Sequence, residues 1–428
     1  MPRSAKPRSV AALVAWALYD WANSAFFTLI QTFVFATYFV TSVAQDKALG
    51  TALWGNVTAV AGLVIAVGGP VLGAVADQEG RRRPWIGFFT LLCIGATAGL
   101  WFVEPSSEYV ELALMLVAIG TLGAEFATIF YNAMLPSLAP MERIGRWSGW
   151  GWGLGYAGGL ACLVVALVGL VQAKDPWVAL DRATAEHVRA TFVLTAVWIF
   201  LFSLPLFVVT PDTPATGRPL SLAVIQGWRQ LVETAHQTRR YRHIIRFLIA
   251  HMLYTDGLIT LFLFGGVYAA GTFDMTQEQV LRFGIALNVT AGLGAAAFAW
   301  VDDWIGAKAT IVLSLVGIIV PGILILVVQS EGTFWMLGLL LGAFIGPVQA
   351  ASRSYLARVA PAGLRNEMFG LYALSGKATA FLGPFLVGWL TYLSGSQRIG
   401  MGVIIVFLFV GLALMLTVPT PRQTQPAS

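Results

Sequence analysis

The sequence predicts an all-α membrane protein of twelve transmembrane helices, arranged as two six-helix bundles related by a pseudo-two-fold axis along the membrane normal. Three observations carry that expectation. Of 428 residues, 57% are hydrophobic and only 11% charged, whereas soluble domains carry about 25% charged residues. Apolar stretches recur roughly every 35 residues, each long enough for the ~20 helical residues that cross a hydrocarbon core. Finally, motifs of the first half return in the second at nearly constant spacing.

In order, the expected spans are 11–42, 52–76, 85–103, 109–134, 147–171, 190–210, 243–270, 280–301, 307–328, 333–351, 367–393 and 398–418. All are read as helices, because irregular backbone facing lipid leaves its polar groups unsatisfied. Arg3, Lys6 and Arg8 precede the first apolar run as in a signal peptide, yet the run continues to about Val40 without a small-residue cleavage pattern, so it is read as a retained span. With both termini in the cytoplasm, 19 of the 26 basic residues fall on that side, among them Arg81 to Arg83, Arg143, Arg146, Lys308, Arg353, Arg358 and Arg365. Only Lys47, Lys174, Arg182, Arg189, Arg282 and Arg398 fall outside. This is the positive-inside asymmetry, which fixes the topology; the expected location is the cell's inner (plasma) membrane.

The expected divisions are a bundle over 1–210, a cytoplasmic linker over 211–242 and a second bundle over 243–428. The linker places Val224, Ile225, Trp228, Leu231, Val232 and Ala235 at helical spacing, which predicts a surface-lying amphipathic helix. Cys93 and Cys162 lie inside apolar runs, so no disulfide framework is expected. A pI near 9.3 would suggest nucleic acid in a soluble chain; here the charges follow topology, and no nucleic-acid partner is expected. No metal-ligand cluster is apparent, so neither metal nor cofactor is expected, nor an enzyme.

The repeat is legible in three pairings. Asp20 and Asp256 are 236 residues apart, each after a Leu-Tyr pair; Asp77, Gly80 and Arg82 return as Asp303, Gly306 and Lys308 at 226; and Ala139-Pro140, Gly149 and Gly155 return as Ala360-Pro361, Gly370 and Gly376 at 221. Six spans per repeat give both halves the same orientation, hence the axis along the membrane normal.

Gly73 to Arg83 carries glycine, Asp77, Gly80, Arg81 and Arg82 in the pattern G-x-x-x-D-x-x-G-R-R, which resembles the signature of the major facilitator superfamily, with a degenerate echo where Ala299 replaces the first glycine. Within that superfamily, Tyr19-Asp20-Trp21-Ala22-Asn23-Ser24-Ala25-Phe26 is similar to the hallmark of the bacterial group related to the fungal autophagy-linked vacuolar amino-acid effluxer. Tyr131-Asn132-Ala133, Gly346 to Ser354 and Phe369 to Thr379 are further matches. The resemblance implies the major facilitator fold, a monomer, spans 1, 4, 7 and 10 lining a central cavity, and a cytoplasmic latch built on Asp77. It also implies a secondary transporter of a small, amino-acid-like solute, with efflux as one direction.

Ionisable groups within spans are expensive and mark function. Asp20 and Asp256 fall near mid-bilayer, Lys377 lies about ten residues into its span, and Glu125 sits in the inner half of its own. Asp20, Asn23, Ser24 and Gln31 share a face, as do Thr121, Glu125, Thr128 and Asn132, and His251 with Thr255 and Asp256 with Thr260 repeat the spacing. A carboxylate in low dielectric holds a proton more readily than in water, so Asp20 and Asp256, then Glu125, are the expected proton sites. Alternatively the carboxylates hold a substrate ammonium while Lys377 holds its carboxylate. The bland reading makes Lys377 a mere neutraliser, and His251 a hydrogen-bonded packing residue. Asp77 is expected at the positive end of a neighbouring helix, with Gly73 permitting close approach and Gly80 the turn; Arg81 and Arg82 complete that latch with Asp303 and Lys308 as its echo. The glycines from Gly149 to Gly159 predict close helix packing rather than a phosphate loop, and Gly376, Gly383 and Pro384 a hinge. Two rival functions stay open: efflux of hydrophobic or cationic drugs, and a non-transporting membrane receptor.

Overall fold

The computed structural model describes residues 9–44, 46–172, 180–236 and 240–420. Arg3, Lys6, Arg8, Lys174, Arg239 and Arg422 lie outside the described residues. The fold is helical throughout: α1 (Val10–Val43), α2 (Lys47–Glu79), α3 (Arg83–Gly99), α4 (Val110–Leu138), α5 (Ile144–Ala166) and α6 (Glu186–Val209) form one bundle. After α7 (Leu220–His236) come α8 (Arg242–Phe273), α9 (Gln277–Ile305), α10 (Ala307–Ile325), α11 (Glu331–Val359), α12 (Arg365–Lys377), α13 (Leu382–Ser394) and α14 (Gln397–Thr417). Among the described residues, eleven helices are long and apolar enough to cross a membrane. The remaining crossing is the broken pair α12 and α13.

Two local departures from regular helix touch the polar centre. In α1 the backbone is α-helical to Ala25 and π-helical over Phe26–Phe33, just after Asp20 and Asn23. Such wide turns are frequent at functional sites. The expected continuous span 367–393 is instead interrupted at 378–381. Pro384 supplies no N–H to the carbonyl four residues back, which weakens helix continuity there.

The bundles meet along α2 against α12 and α5 against α9, and small residues set the distance. A Cβ on Gly73 would collide with the carbonyl of Asn366, and one on Gly370 with that of Gly69. On the other side, a Cβ on Gly149 would sit 2.6 Å from the Ala295 carbonyl and 2.6 Å from the Ala299 Cβ. Ala295 and Ala299 follow Gly69 and Gly73 by 226 residues. The duplicated segments therefore pack reciprocally, and Ala299 is tolerated because its partner is glycine. Gly155 and Gly158 let α5 close on Ser24 and Trp21 of α1. These contacts lie toward the end that carries the basic loops. Toward the opposite end Gly55 and Gly62 of α2, Gly284 of α9 and Gly388 of α13 have nothing within 4 Å. The close glycine contacts between the bundles thus lie at and near the basic end.

The linker helix α7 lies across the basic end of α2, where a Cβ on Gly227 would come within 2.8 Å of the Val75 nitrogen. Ala223 is buried, whereas Val224, Ile225 and Trp228 stay exposed. Gln230 donates to Glu367 at 2.6 Å, tying α7 to α12.

Gly73→Val should disfavour the docked arrangement, since overpacking costs about 1–3 kcal/mol. Spin labels at Arg81→Cys and Ala362→Cys, both exposed positions, should show a larger separated population by pulsed distance measurement. An unchanged distance distribution would remove Gly73 from that contact.

Candidate functional site

Arg353 was expected in a cytoplasmic loop; the structure corrects that. It lies inside α11, six residues before its end, and its side chain is buried. Its Nη1 donates to Asp20 Oδ2 at 2.9 Å and to Asn132 Oδ1 at 3.2 Å, its Nε to Ser148 Oγ at 2.9 Å and its Nη2 to the Ser148 carbonyl at 2.7 Å. Every one of these acceptors belongs to the first bundle. The guanidinium also lies 4.9 Å from the centre of the Trp16 ring and 5.7 Å from that of Trp152. Asp20 is therefore paired with a cation of the other bundle.

A second ion pair joins the bundles and is less buried than the first. Lys377 Nζ of α12 lies 2.8 Å from Glu125 Oε1 of α4, with side chains 31% and 18% exposed. Around these pairs Asn23 donates to Thr128 at 3.0 Å and Gln31 to Thr121 at 2.8 Å, so the polar stripes of α1 and α4 face each other. His251 contacts Ser375 Oγ through Nδ1 at 2.7 Å and stacks on Tyr372 with centroids 4.0 Å apart, as a packing residue does. Asp256 stands apart. It is buried, and neither carboxylate oxygen has a hydrogen-bond partner among the described residues. Thr260, spaced to reach it, donates at 2.6 Å to its backbone carbonyl instead.

At the basic end, Asp77 accepts from the backbone nitrogens of Asn366 at 3.2 Å and Glu367 at 2.9 Å, and from Asn366 Nδ2 at 2.8 Å. These are first-turn groups of α12, so the carboxylate sits at the positive end of that helix. Buried Arg82 donates to Asn366 Oδ1 at 3.0 Å and to Ser137 at 3.1 Å, whereas Arg81 is exposed. Gly80 ends α2 with φ +92°, a conformation that favours glycine. The mirror arrangement uses Asp303, which accepts from the Arg146 nitrogen in the first turn of α5 at 3.1 Å and pairs with its Nε at 3.3 Å. Asp302 adds a buried pair with Arg358 Nη1 at 2.5 Å and a contact from Ser354. Lys308 is not part of this latch: it is directed to the Leu416 carbonyl at 2.9 Å.

Sequence reasoning missed Arg353, Asp302 and Arg146 as site residues. The spacing held a signal for the first: Arg353 is 221 residues after Asn132, the offset that pairs Gly149 with Gly370, and Asp256 is the counterpart of Asp20. The pair Asp20 with Arg353 thus has a mirror of Asp256 with Asn132, in which no cation is present. An apolar groove of about 540 Å³ beside Trp147, Trp150 and Leu293 contains none of these ionisable residues.

Two six-helix bundles that hold ion pairs between them and pack on reciprocal glycines fit a membrane transporter of the major facilitator superfamily. The fold matches that of a transporter of this superfamily, FucP, in the outward conformation, with a TM-score of 0.75 and 11% identity over 96% of this chain and 98% of that one. It also matches the proton:xylose symporter XylE, with a TM-score of 0.72 and 13% identity over 96% of each chain. The chain belongs to the family described as "Vacuole effluxer Atg22 like", whose sequence profile matches residues 51–428; it is a transporter and not an enzyme. It is 27% identical over 413 residues to the MFS-type transporter YxiO of Bacillus subtilis, covering 96% of this chain and 95% of that one. Autophagy-related protein 22 of Saccharomyces cerevisiae is 23% identical over 408 residues, 83% of this chain and 74% of that one. Autophagy-related protein 22-1 of Penicillium rubens is 26% identical over 66% of this chain, which spans about half the length of that relative.

Breaking one partner of a buried pair strands the other charge at about 3–5 kcal/mol. Asp20→Asn should therefore lower the thermal unfolding midpoint in detergent more than the double variant Asp20→Asn with Arg353→Met. Equal losses would show that the pair is not coupled.

Proposed function

We propose that this chain is a secondary transporter that moves a small amino-acid-like solute across the cell's inner membrane by alternating access, coupled to protons. The basic end with its two aspartate latches is the cytoplasmic gate, closed here, and the cleft opens outward. The observation that carries the reading is the Lys377–Glu125 pair, which bridges the bundles and remains partly exposed. A zwitterion can take over both halves at once, its carboxylate on the Lys377 ammonium and its ammonium on Glu125. Neither charge is then left unpaired, so the exchange avoids the penalty of separating them. The family description as an effluxer supports outward movement of a solute as one direction.

Among the expected proton sites, Asp20 and Glu125 are held by cations in this state. Asp256 has none, and an isolated carboxylate in apolar surroundings exchanges a proton without first breaking an ion pair. It is the coupling group in this reading, with Asn23 and Asn132 lining the cavity floor. Opening the cytoplasmic side requires Asp77 to leave α12, Asp303 to leave α5, and Arg353 to release the first bundle. A monomer contains all of these parts.

Uptake of a labelled amino-acid mixture into proteoliposomes, with and without an inward proton gradient, tests the reading. Gradient-dependent accumulation should be lost in Asp256→Asn, and Lys377→Gln should abolish zwitterion flux. No uptake of any amino acid sinks the zwitterion assignment, and transport of hydrophobic cations that survives loss of Lys377 would replace it with drug efflux.

A further inference from the structure

The eleventh crossing is broken where it passes Asp256. α12 ends at Lys377, turns occupy 378–381 and α13 starts at Leu382. Through the break the backbone bonds run from Ala378 to the Leu374 carbonyl at 2.8 Å, from Ala380 to Lys377 at 3.3 Å and from Leu382 to Thr379 at 2.7 Å. No backbone N–H among the described residues reaches the carbonyls of Ser375, Gly376, Ala378 or Ala380. Pro384 removes the helical donor for the last of these. The start of α13 is packed on this turn of α8: a Cβ on Gly383 would collide with Thr260 and lie 3.3 Å from the Asp256 carbonyl.

Asp256 itself is 1% exposed. The hydroxyl of Thr379, inside the break, faces its carboxylate. Both oxygens are buried, and apart from each other neither has a hydrogen-bond partner among the described residues. A buried carboxylate with at most one hydroxyl donor and no cation, beside a stretch of freed carbonyls, is costly in a bilayer unless a ligand or proton compensates it.

We infer that this break is a sodium site, formed by the carboxylate of Asp256, the hydroxyl of Thr379 and backbone carbonyls released between Ser375 and Ala380. The donors are all hard oxygens, with no nitrogen or sulfur ligand, which suits an alkali or alkaline-earth ion rather than a transition metal. One carboxylate neutralises one positive charge, which selects a monovalent ion over calcium or magnesium. Unwound helix at mid-membrane with its carbonyls turned to a cation is a general device for ion coupling.

Sodium and the proton compete for the same carboxylate, so the inference deepens the coupling role given to Asp256 and rests on it. Several ionisable groups of the packed elements have partners of their own. On α8, His251 contacts Ser375 and Tyr254 contacts Ser352; on α12, Lys377 pairs with Glu125 and Tyr372 stacks on His251. On α11, Arg353 pairs with Asp20, and Tyr355 donates to the Pro419 carbonyl. On α14, Arg398 donates to the Leu326 carbonyl, and on α13 Tyr392 is exposed.

Binding of radioactive sodium to the purified full-length protein at mildly alkaline pH tests the site. One saturable site is expected, displaced by unlabelled sodium and by acid, and spared by about a tenfold excess of potassium. Thr379→Val should weaken it about tenfold, which is about 1.4 kcal/mol. Asp256→Asn should abolish it while leaving the size-exclusion profile intact. Absence of saturable binding in the unaltered protein, or equal affinity in Thr379→Val, overturns the proposal. Proton-driven uptake without sodium binding sinks this inference alone; sodium binding without any amino-acid flux leaves the site standing and removes the transport reading.

Discussion

A guanidinium taken out of water must be surrounded by acceptors, and Arg353 finds its acceptors on the opposite bundle. Asp20, Asn132 and Ser148 come from three different helices of the first half, while the cation rides on α11 of the second. The arrangement exists only when both bundles are docked at one depth and rotation. A buried pair of this kind roughly breaks even against its desolvation cost, so its worth lies in selecting one alignment over others. The glycine contacts that bring α2 to α12 and α5 to α9 serve the same geometry from the outside.

The ends of that interface obey a second rule, set by helix termini. Asp77 leaves the end of α2 and caps α12; Asp303 leaves the end of α9 and caps α5. Each bundle contributes one carboxylate and one helix start. The exchange is reciprocal because the halves are copies, and it is reversible because each contact rests on hydrogen bonds to first-turn nitrogens that have no partner within their own helix, joined at Asp303 by one ion pair. Such contacts hold a closed end without welding it.

The symmetry fails in the middle, where function needs it to. The counterpart of Arg353 is Asn132, so Asp20 has a cation and Asp256 does not. The counterpart of unbroken α5 is the crossing interrupted after Lys377. A buried lone carboxylate and a stretch of unpaired carbonyls thus fall in the same place, on the second half only. The first half supplies the fixed ion pair against which that site can change occupancy.

Much of this was written in the chain. Hydropathy placed the crossings, basic residues separated the two ends, and the repeat offsets paired Asp77 with Asp303 and Gly149 with Gly370 before any coordinates. The location of Asp77 at a helix start was also legible, because a helix terminus attracts a carboxylate wherever the two meet. What the chain left open was which charge faces which. Arg353 looked like a loop residue because its local sequence is polar, and Lys308 looked like the echo of Arg82 although it faces Leu416. Hydropathy and periodicity are local quantities, fixed by neighbours within a turn or two. Ion pairing between bundles depends on the relative depth and rotation of helices hundreds of residues apart in sequence, and only their docking decides those.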